Sequence, residues 1–193
     1  MILIVVNGNS YVIEKELNRT SSYIRYLVSK ENKLYILKDY TEQDEISVLM
    51  GGGIQSEIND YFSMSKYFLP VSRMADYSLV DKIVVREYIE GTPVDQLFKE
   101  DKIDPKMLYC ICNIAKNAEK CGLILDYDPA NFIWYKGTLY YSKFWCKKYN
   151  ESKSFENYGI MYWIPGLEKF SLDTQRRKKE EFMKKYGVTV KIK

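Results

Sequence analysis

The chain has 193 residues, 46% of them hydrophobic, enough apolar material for one substantial core or for two small ones. Its 29 basic and 26 acidic residues leave a formal net charge of +3, so overall charge gives no argument for binding nucleic acid or a membrane surface. Histidine is absent, which excludes Ser-His-Asp and Cys-His nucleophile systems and leaves proton handling to carboxylates, lysine, tyrosine or thiol.

In chain order, the opening MILIVV lacks a basic region and a cleavage site and runs into Asn7-Gly8-Asn9, which predicts a strand and turn, not a leader. From Tyr11 to Tyr40, YVIEKEL, YIRYLV and LYILKDY are rich in aromatic and β-branched residues and are divided by the turn formers NRTSS and SKENK. Three antiparallel strands follow. Gly51-Gly52-Gly53 lacks the GK[ST] ending of a phosphate-binding P-loop and reads as a flexible connection. In IQSEINDYFSMSKYFL, Ile54, Ile58, Tyr61, Phe62, Ser65 and Phe68 recur at helical spacing, with Pro70 just beyond.

YSLVDKIVVREYIEGTP then gives two short strands broken at Asp81-Lys82 and closing in a Gly-Thr-Pro turn. DPKMLYCICNIAKNAEKCG predicts a helix capped by Asp104, with Pro105 at its first position and Gly122 at its end. LDYDPANFIWYKGTLYYSKFW reads as a loop and a hairpin turning at Lys136-Gly137, and FENYGIMYWI as an apolar helix or buried strand. SLDTQRRKKEEFMKKYG predicts a helix with Ser171 or Asp173 as its cap. No segment approaches the ~20 apolar residues of a membrane span. Strands and helices are segregated, so the expected class is α+β, with a β-rich lobe over 1–90 and a mainly helical lobe over 91–193.

Cys110, Cys112, Cys121 and Cys146 show no paired CxxC spacing and suit reduced, mostly buried thiols of an intracellular protein. Arg176, Arg177, Lys178 and Lys179, followed by Lys184, Lys185, Lys191 and Lys193, form a basic run. It reads as a solvated helix face paired with Glu180 and Glu181, or as a contact for an anionic partner.

The cluster LILDYDPANF admits a plain turn, since Asp, Asn and Pro are turn formers. Its neighbours suggest more. Phosphoryl transfer needs a cation on the phosphates, an acid to hold that cation, a carboxylate beside the attacking hydroxyl and an oxygen ligand for magnesium. LYILKDY places Lys38 in a strand, and Glu57 lies about one turn into the next helix. VVREYIEG offers a strand edge, and Asp126 precedes Asn131 by five residues. Taken singly, Lys38 and Glu57 are also readable as surface charges, and Arg86, Glu87 and Glu90 as the polar face of a strand.

In this order the features resemble the protein kinase-like family, over about Tyr11 to Tyr162: YILK in the third strand, Glu57 in the following helix, VVREYIEGTPVDQLF as hinge and helix, and LDYDPANF as catalytic loop. The resemblance implies a two-lobed fold that binds ATP. By it, Lys38 contacts the phosphates, Glu57 orients Lys38, the backbone of Glu87 and Ile89 meets adenine, Asp126 accepts or guides the substrate hydroxyl, and Asn131 binds magnesium. The departures are specific. LNRTSSYIRY has no glycine where the family's phosphate loop belongs, leaving backbone amides and the hydroxyls of Thr20, Ser21 and Ser22. Ile124 and Leu125 replace the usual histidine and arginine. Lys143 stands before Phe144 at the place of the second magnesium-binding aspartate, and Trp145 replaces the following glycine. An ammonium cannot ligate a cation, so either Lys143 neutralises phosphate charge or the metal is not held; with the register slipped, Asp126 and Asp128 would supply the metal oxygens instead, Asp128 lying close to Asn131.

The stretch after Trp145 holds no recognisable activation segment, and the likeness is to small atypical kinases such as the RIO group or the tRNA-modification-associated kinase. The expectation is a cytoplasmic pseudokinase that senses a nucleotide or binds a protein partner. The alternatives are an active ATP-dependent phosphotransferase using Asp126 on a Ser/Thr or small-molecule hydroxyl, and a nucleic-acid-associated module acting through Arg176, Arg177, Lys178 and Lys179. No membrane association is expected.

Overall fold

Two residues with positive φ make the tightest hairpin turn whose twist matches the flanking strands, and among the described residues this device occurs three times. The computed structural model describes residues 2–42 and 53–187. Gly51 and Gly52 of the glycine run, and Lys191 and Lys193 of the basic terminus, lie outside the described residues. Asn7-Gly8 (φ 48° and 80°) joins β1 (Leu3–Val6) to β2 (Asn9–Arg19), and Glu31-Asn32 (φ 51° and 60°) joins β3 (Ile24–Lys30) to β4 (Lys33–Asp39). Lys136-Gly137 (φ 47° and 78°) joins β9 (Phe132–Tyr135) to β10 (Thr138–Tyr141).

The molecule is α+β and divides into two compact units, Met1–Phe62 with Ser72–Ile89, and Ser63–Val71 with Glu90–Lys193. In the first unit, β1 to β4 combine with β5 (Met74–Ser78) and β6 (Ile83–Glu87) in an antiparallel sheet of order β1-β2-β3-β4-β6-β5. Two register shifts in the β2–β3 ladder bend the long β2 strand. Asn7 Nδ2 donates to Asp76 Oδ1 and to the Tyr77 carbonyl, both at 2.8 Å, and Asn9 Nδ2 to Asp76 Oδ2 at 2.7 Å. These bonds tie one edge of the sheet to the other and curl it. Val6, Tyr11, Val28, Leu37, Ile83 and Val85 bury one face. Alternation then sends Lys38 and Ile36 to the opposite face, with Arg25 opposite Lys38 on β3 and Arg86 opposite Ile36 on β6.

Helix α1 (Ile54–Lys66) forms as expected, but the face it buries differs. Glu57, Ile58 and Met64 are buried and Phe62 is half exposed, while Phe68 lies beyond the helix and is 93% exposed. Bonds from Tyr67 N to the Met64 carbonyl and from Phe68 N to the Ser65 carbonyl tighten the last turn, and Phe68 leaves it with φ 56°. The apolar spacing thus overruns the helix end.

In the second unit, β7 (Thr92–Pro93), β9 and β10 form a sheet of order β10-β9-β7, followed in chain order from β7 by α2 (Val94–Lys99) and α3 (Pro105–Lys120). The α3 signals hold: the Asp104 carboxylate accepts from Lys106 N at 2.8 Å, Pro105 opens the helix, and Gly122 follows it at φ 69°. A further short antiparallel ladder pairs β8 (Leu123–Leu125) with β11 (Cys146–Lys148), a pairing the local residue pattern does not announce. FENYGIMYWI is neither α-helix nor strand; a 3-10 turn spans Gly159–Trp163. Its conformation is set from outside: Trp163 Nε1 donates to the Tyr127 carbonyl at 2.7 Å, and Gly159 lies so close to the Tyr127 ring that a Cβ there would come within 2.6 Å. Trp163 also packs edge-on against Phe98 and Phe132, over a core that includes Met107, Ile111, Leu139 and Ile160. Helix α4 spans Leu172–Tyr186. Cys112 and Cys146 are buried, and Cys110 and Cys121 partly so. Among the described residues no helix is long and apolar enough to cross a membrane.

Candidate functional site

The expected site residues fall four to each unit: Lys38, Glu57, Glu87 and Ile89 in the first, Asp126, Asp128, Asn131 and Lys143 in the second. Lys38 is fixed by its β4 register and Glu57 by the first turn of α1. They meet as an ion pair of 2.6 Å between Lys38 Nζ and Glu57 Oε2, with the residues only 8% and 6% exposed. They are not surface charges. Tyr40, two residues past Lys38 and so on the same side of the strand, donates its hydroxyl to the same Glu57 oxygen, and the Lys38 ammonium lies 4.8 Å from the centre of the Tyr23 ring.

Arg86, readable from sequence as part of a strand's polar face, is 7% exposed and sits in the electrostatic range of Glu57. Burial pushes the Lys38 pKa down, Glu57 opposes that shift, and Arg86 adds to it. Burial likewise pushes Arg86 down, against the pull of Glu57 and with the push of Arg25. The Tyr40 phenol is driven up by burial and then by the neighbouring Glu57 carboxylate. Tyr23, Arg25, Tyr40 and Arg86 were missed in the sequence. The available signal was their two-residue spacing and cross-strand register relative to Lys38.

The backbone expected to meet adenine lies at the end of β6. Glu87 N donates to the Arg73 carbonyl at 2.9 Å and Tyr88 N to the Leu34 carbonyl at 3.1 Å. The Glu87 carboxylate takes Arg73 in an exposed pair at 2.7 Å, and Ile89 follows, partly buried.

In the second unit, Asp126 directly follows β8. Its backbone N–H donates to the Tyr141 hydroxyl at 3.2 Å, and that hydroxyl donates to the Trp145 carbonyl at 2.9 Å. Asp128 caps the 3-10 turn Pro129–Asn131 by accepting from Ala130 N at 2.9 Å. Asn131 Nδ2 reaches the Asp126 carbonyl at 3.4 Å, so Asp126, Asp128 and Asn131 do share one tight loop. Lys143 joins them: its ammonium donates to Asp126 Oδ2 at 2.7 Å, with side chains 43% and 35% exposed, and lies 5.8 Å from the Trp145 ring centre. Beside this loop Tyr162 donates to the Tyr158 hydroxyl at 2.7 Å, and that bond, then burial, pushes the Tyr162 phenol up to about 12.

Magnesium would need carboxylate and amide oxygens turned to one point. Here Lys143 lays an ammonium on the Asp126 carboxylate, which repels a cation there, while Asp128 caps the turn through Oδ1 and keeps Oδ2 to offer beside Asn131, so Asp128 and Asn131 are the residues that would hold a metal. In the first unit three cationic side chains, Arg25, Lys38 and Arg86, share one face of the sheet.

The basic helix α4 carries Arg176, Arg177, Lys184 and Lys185 on an exposed face together with Glu180 and Glu181. Arg176 approaches Glu180 at 3.6 Å and Arg177 approaches Glu181 at 3.9 Å, while Lys178 and Lys179 are partly buried. Two of the cations of the stripe are thus paired along the helix. No protein-family model matches the chain, and no curated protein matches it either.

Proposed function

We propose that this chain is a degenerate protein kinase-like protein, a cytoplasmic pseudokinase that serves as a nucleotide-sensing or partner-binding module. The observation that carries the reading is the buried Lys38–Glu57 pair. Desolvating two charges costs about as much as their attraction returns, and apolar residues of similar size often serve stability equally well. A buried pair on one strand and the next helix is therefore better accounted for by a ligand than by stability. In that role Lys38 meets phosphate oxygens, Glu57, itself bonded by the Tyr40 hydroxyl, holds its ammonium in place, and the backbone at Glu87 and Ile89 meets adenine. ATP fits this unit as an anion.

The Asp126–Lys143 pair supports the degenerate form of the reading. An ammonium on the carboxylate opposes both metal binding and acceptance of a substrate proton. A thermal-shift titration with ATP, in EDTA and in magnesium, tests the proposal. Equal stabilisation in both is the expected result. Magnesium-dependent turnover abolished by Asp126→Ala and Lys38→Ala would instead make the chain an active phosphotransferase. Absence of any shift would remove the nucleotide and leave a partner-binding scaffold.

A further inference from the structure

The loop between β2 and β3 is folded inward on itself. Thr20 N donates to the Tyr23 carbonyl at 2.9 Å, and the Thr20 hydroxyl donates to the same carbonyl at 3.1 Å. That hydroxyl also accepts from Ser22 N at 3.2 Å and Tyr23 N at 3.1 Å. The amides of Thr20, Ser22 and Tyr23 are thus committed within the loop. A glycine-free turn closed in this way is not a backbone cradle for an anion, because such a cradle needs successive N–H groups pointing outward.

Positive charge close by is not used up in the same way. Arg25 is the direct cross-strand partner of Lys38, so the two side chains stand side by side on one face of the sheet. Arg25 Nε is buried without a hydrogen-bond partner, and among the described residues the Arg25 guanidinium lies in no ion pair. Among the described residues, Lys38 has Glu57 as its ion-pair partner. Among these three described side chains, Arg25 and Lys38 set against Glu57 leave one positive charge over. The guanidinium fork matches the oxygens of a phosphate, whereas Lys38 is a point charge; together they supply direction and attraction.

We propose that Arg25 and Lys38 form a side-chain anion site for a phosphate chain on this face of the sheet, replacing loop amides and needing no divalent metal. The anion chemistry stands on the residues themselves; the identity of the ligand as a nucleotide rests on the reading given above.

The test is calorimetric titration of the full chain in EDTA with sodium tripolyphosphate, ATP and adenosine, using the wild type, Arg25→Ala and, as a variant closer in size, Arg25→Gln. Tripolyphosphate and ATP are expected to bind the wild type. Each variant that folds is expected to bind both about tenfold or more weakly, the cost of one charge-assisted hydrogen-bonding group, with adenosine affinity unchanged. Tripolyphosphate that fails to bind the wild type, or binds the variants equally well, overturns the site. So does an equal loss of adenosine and tripolyphosphate, which marks Arg25 as structural. The nucleotide reading fails by a different result: ATP no tighter than tripolyphosphate and adenosine not bound, with the Arg25 effect intact.

Discussion

Two ion pairs of nearly equal length sit in opposite surroundings. Lys38–Glu57 spans 2.6 Å with side chains 10% and 7% exposed, and Lys143–Asp126 spans 2.7 Å in a loop open to water. Length alone says nothing about what a pair is worth. In the first unit each partner is buried, so removing either leaves an uncompensated charge; in the second, water replaces whichever partner is removed.

The largest expected effect follows from the buried pair. Glu57→Ala strips Lys38 of its partner beside Arg86 and should cost about 3–5 kcal/mol in urea unfolding, whereas the paired change Lys38→Met with Glu57→Leu should recover most of that loss. A single-variant cost under about 1 kcal/mol, the surface value, would erase the contrast between the pairs. Next comes Gly159→Ala in the second unit. The added methyl meets the Tyr127 ring, and the expected destabilisation is about 1–3 kcal/mol by the same assay.

A smaller, pH-dependent effect distinguishes the units by residue. Burial and then Asp76 raise the Tyr11 pKa from 10.0 to about 12, and burial raises Cys112 from 9.0 to about 12. Between the ordinary and raised values the folded chain holds protons that the unfolded chain has released, so stability present below pH 9 is lost as pH climbs toward 12. Circular dichroism of alkaline unfolding should show Tyr11→Phe flattening this fall above pH 10 and Cys112→Ala flattening it from pH 9. Profiles identical to wild type would show that neither group titrates as its surroundings imply. The smallest effect belongs to the exposed pair: Lys143→Ala should change stability by less than about 1 kcal/mol.

Much of the fold was legible in the residues because local chemistry decides it. Asn7-Gly8 and Lys136-Gly137 announce hairpins, and Asp104-Pro105 with Gly122 brackets a helix. The joint order of Lys38, Glu57, Asp126 and Asn131 singled out the two loci that carry the buried pair and the tight acidic loop. What escaped was decided by contacts distant in sequence. Three-residue strands such as Leu123–Leu125 and Cys146–Lys148 carry too little pattern of their own, and FENYGIMYWI is shaped by Tyr127. Arg86 alternates with Val85 as any polar strand residue does, so its burial shows only when β4 and α1 are in place. Lys143 was placed by its distance from Asn131, yet its bond to Asp126 needed the hairpin to turn at Lys136-Gly137.

The proposed function has Lys38 of the first unit meeting phosphate and no magnesium required at the second. Calorimetric measurement of ATP affinity in EDTA and in magnesium, on the wild type and on Lys38→Met, addresses it most directly. Saturable binding that magnesium does not strengthen and that Lys38→Met weakens is the predicted result. Binding that appears only with magnesium, or that survives Lys38→Met unchanged, would contradict it.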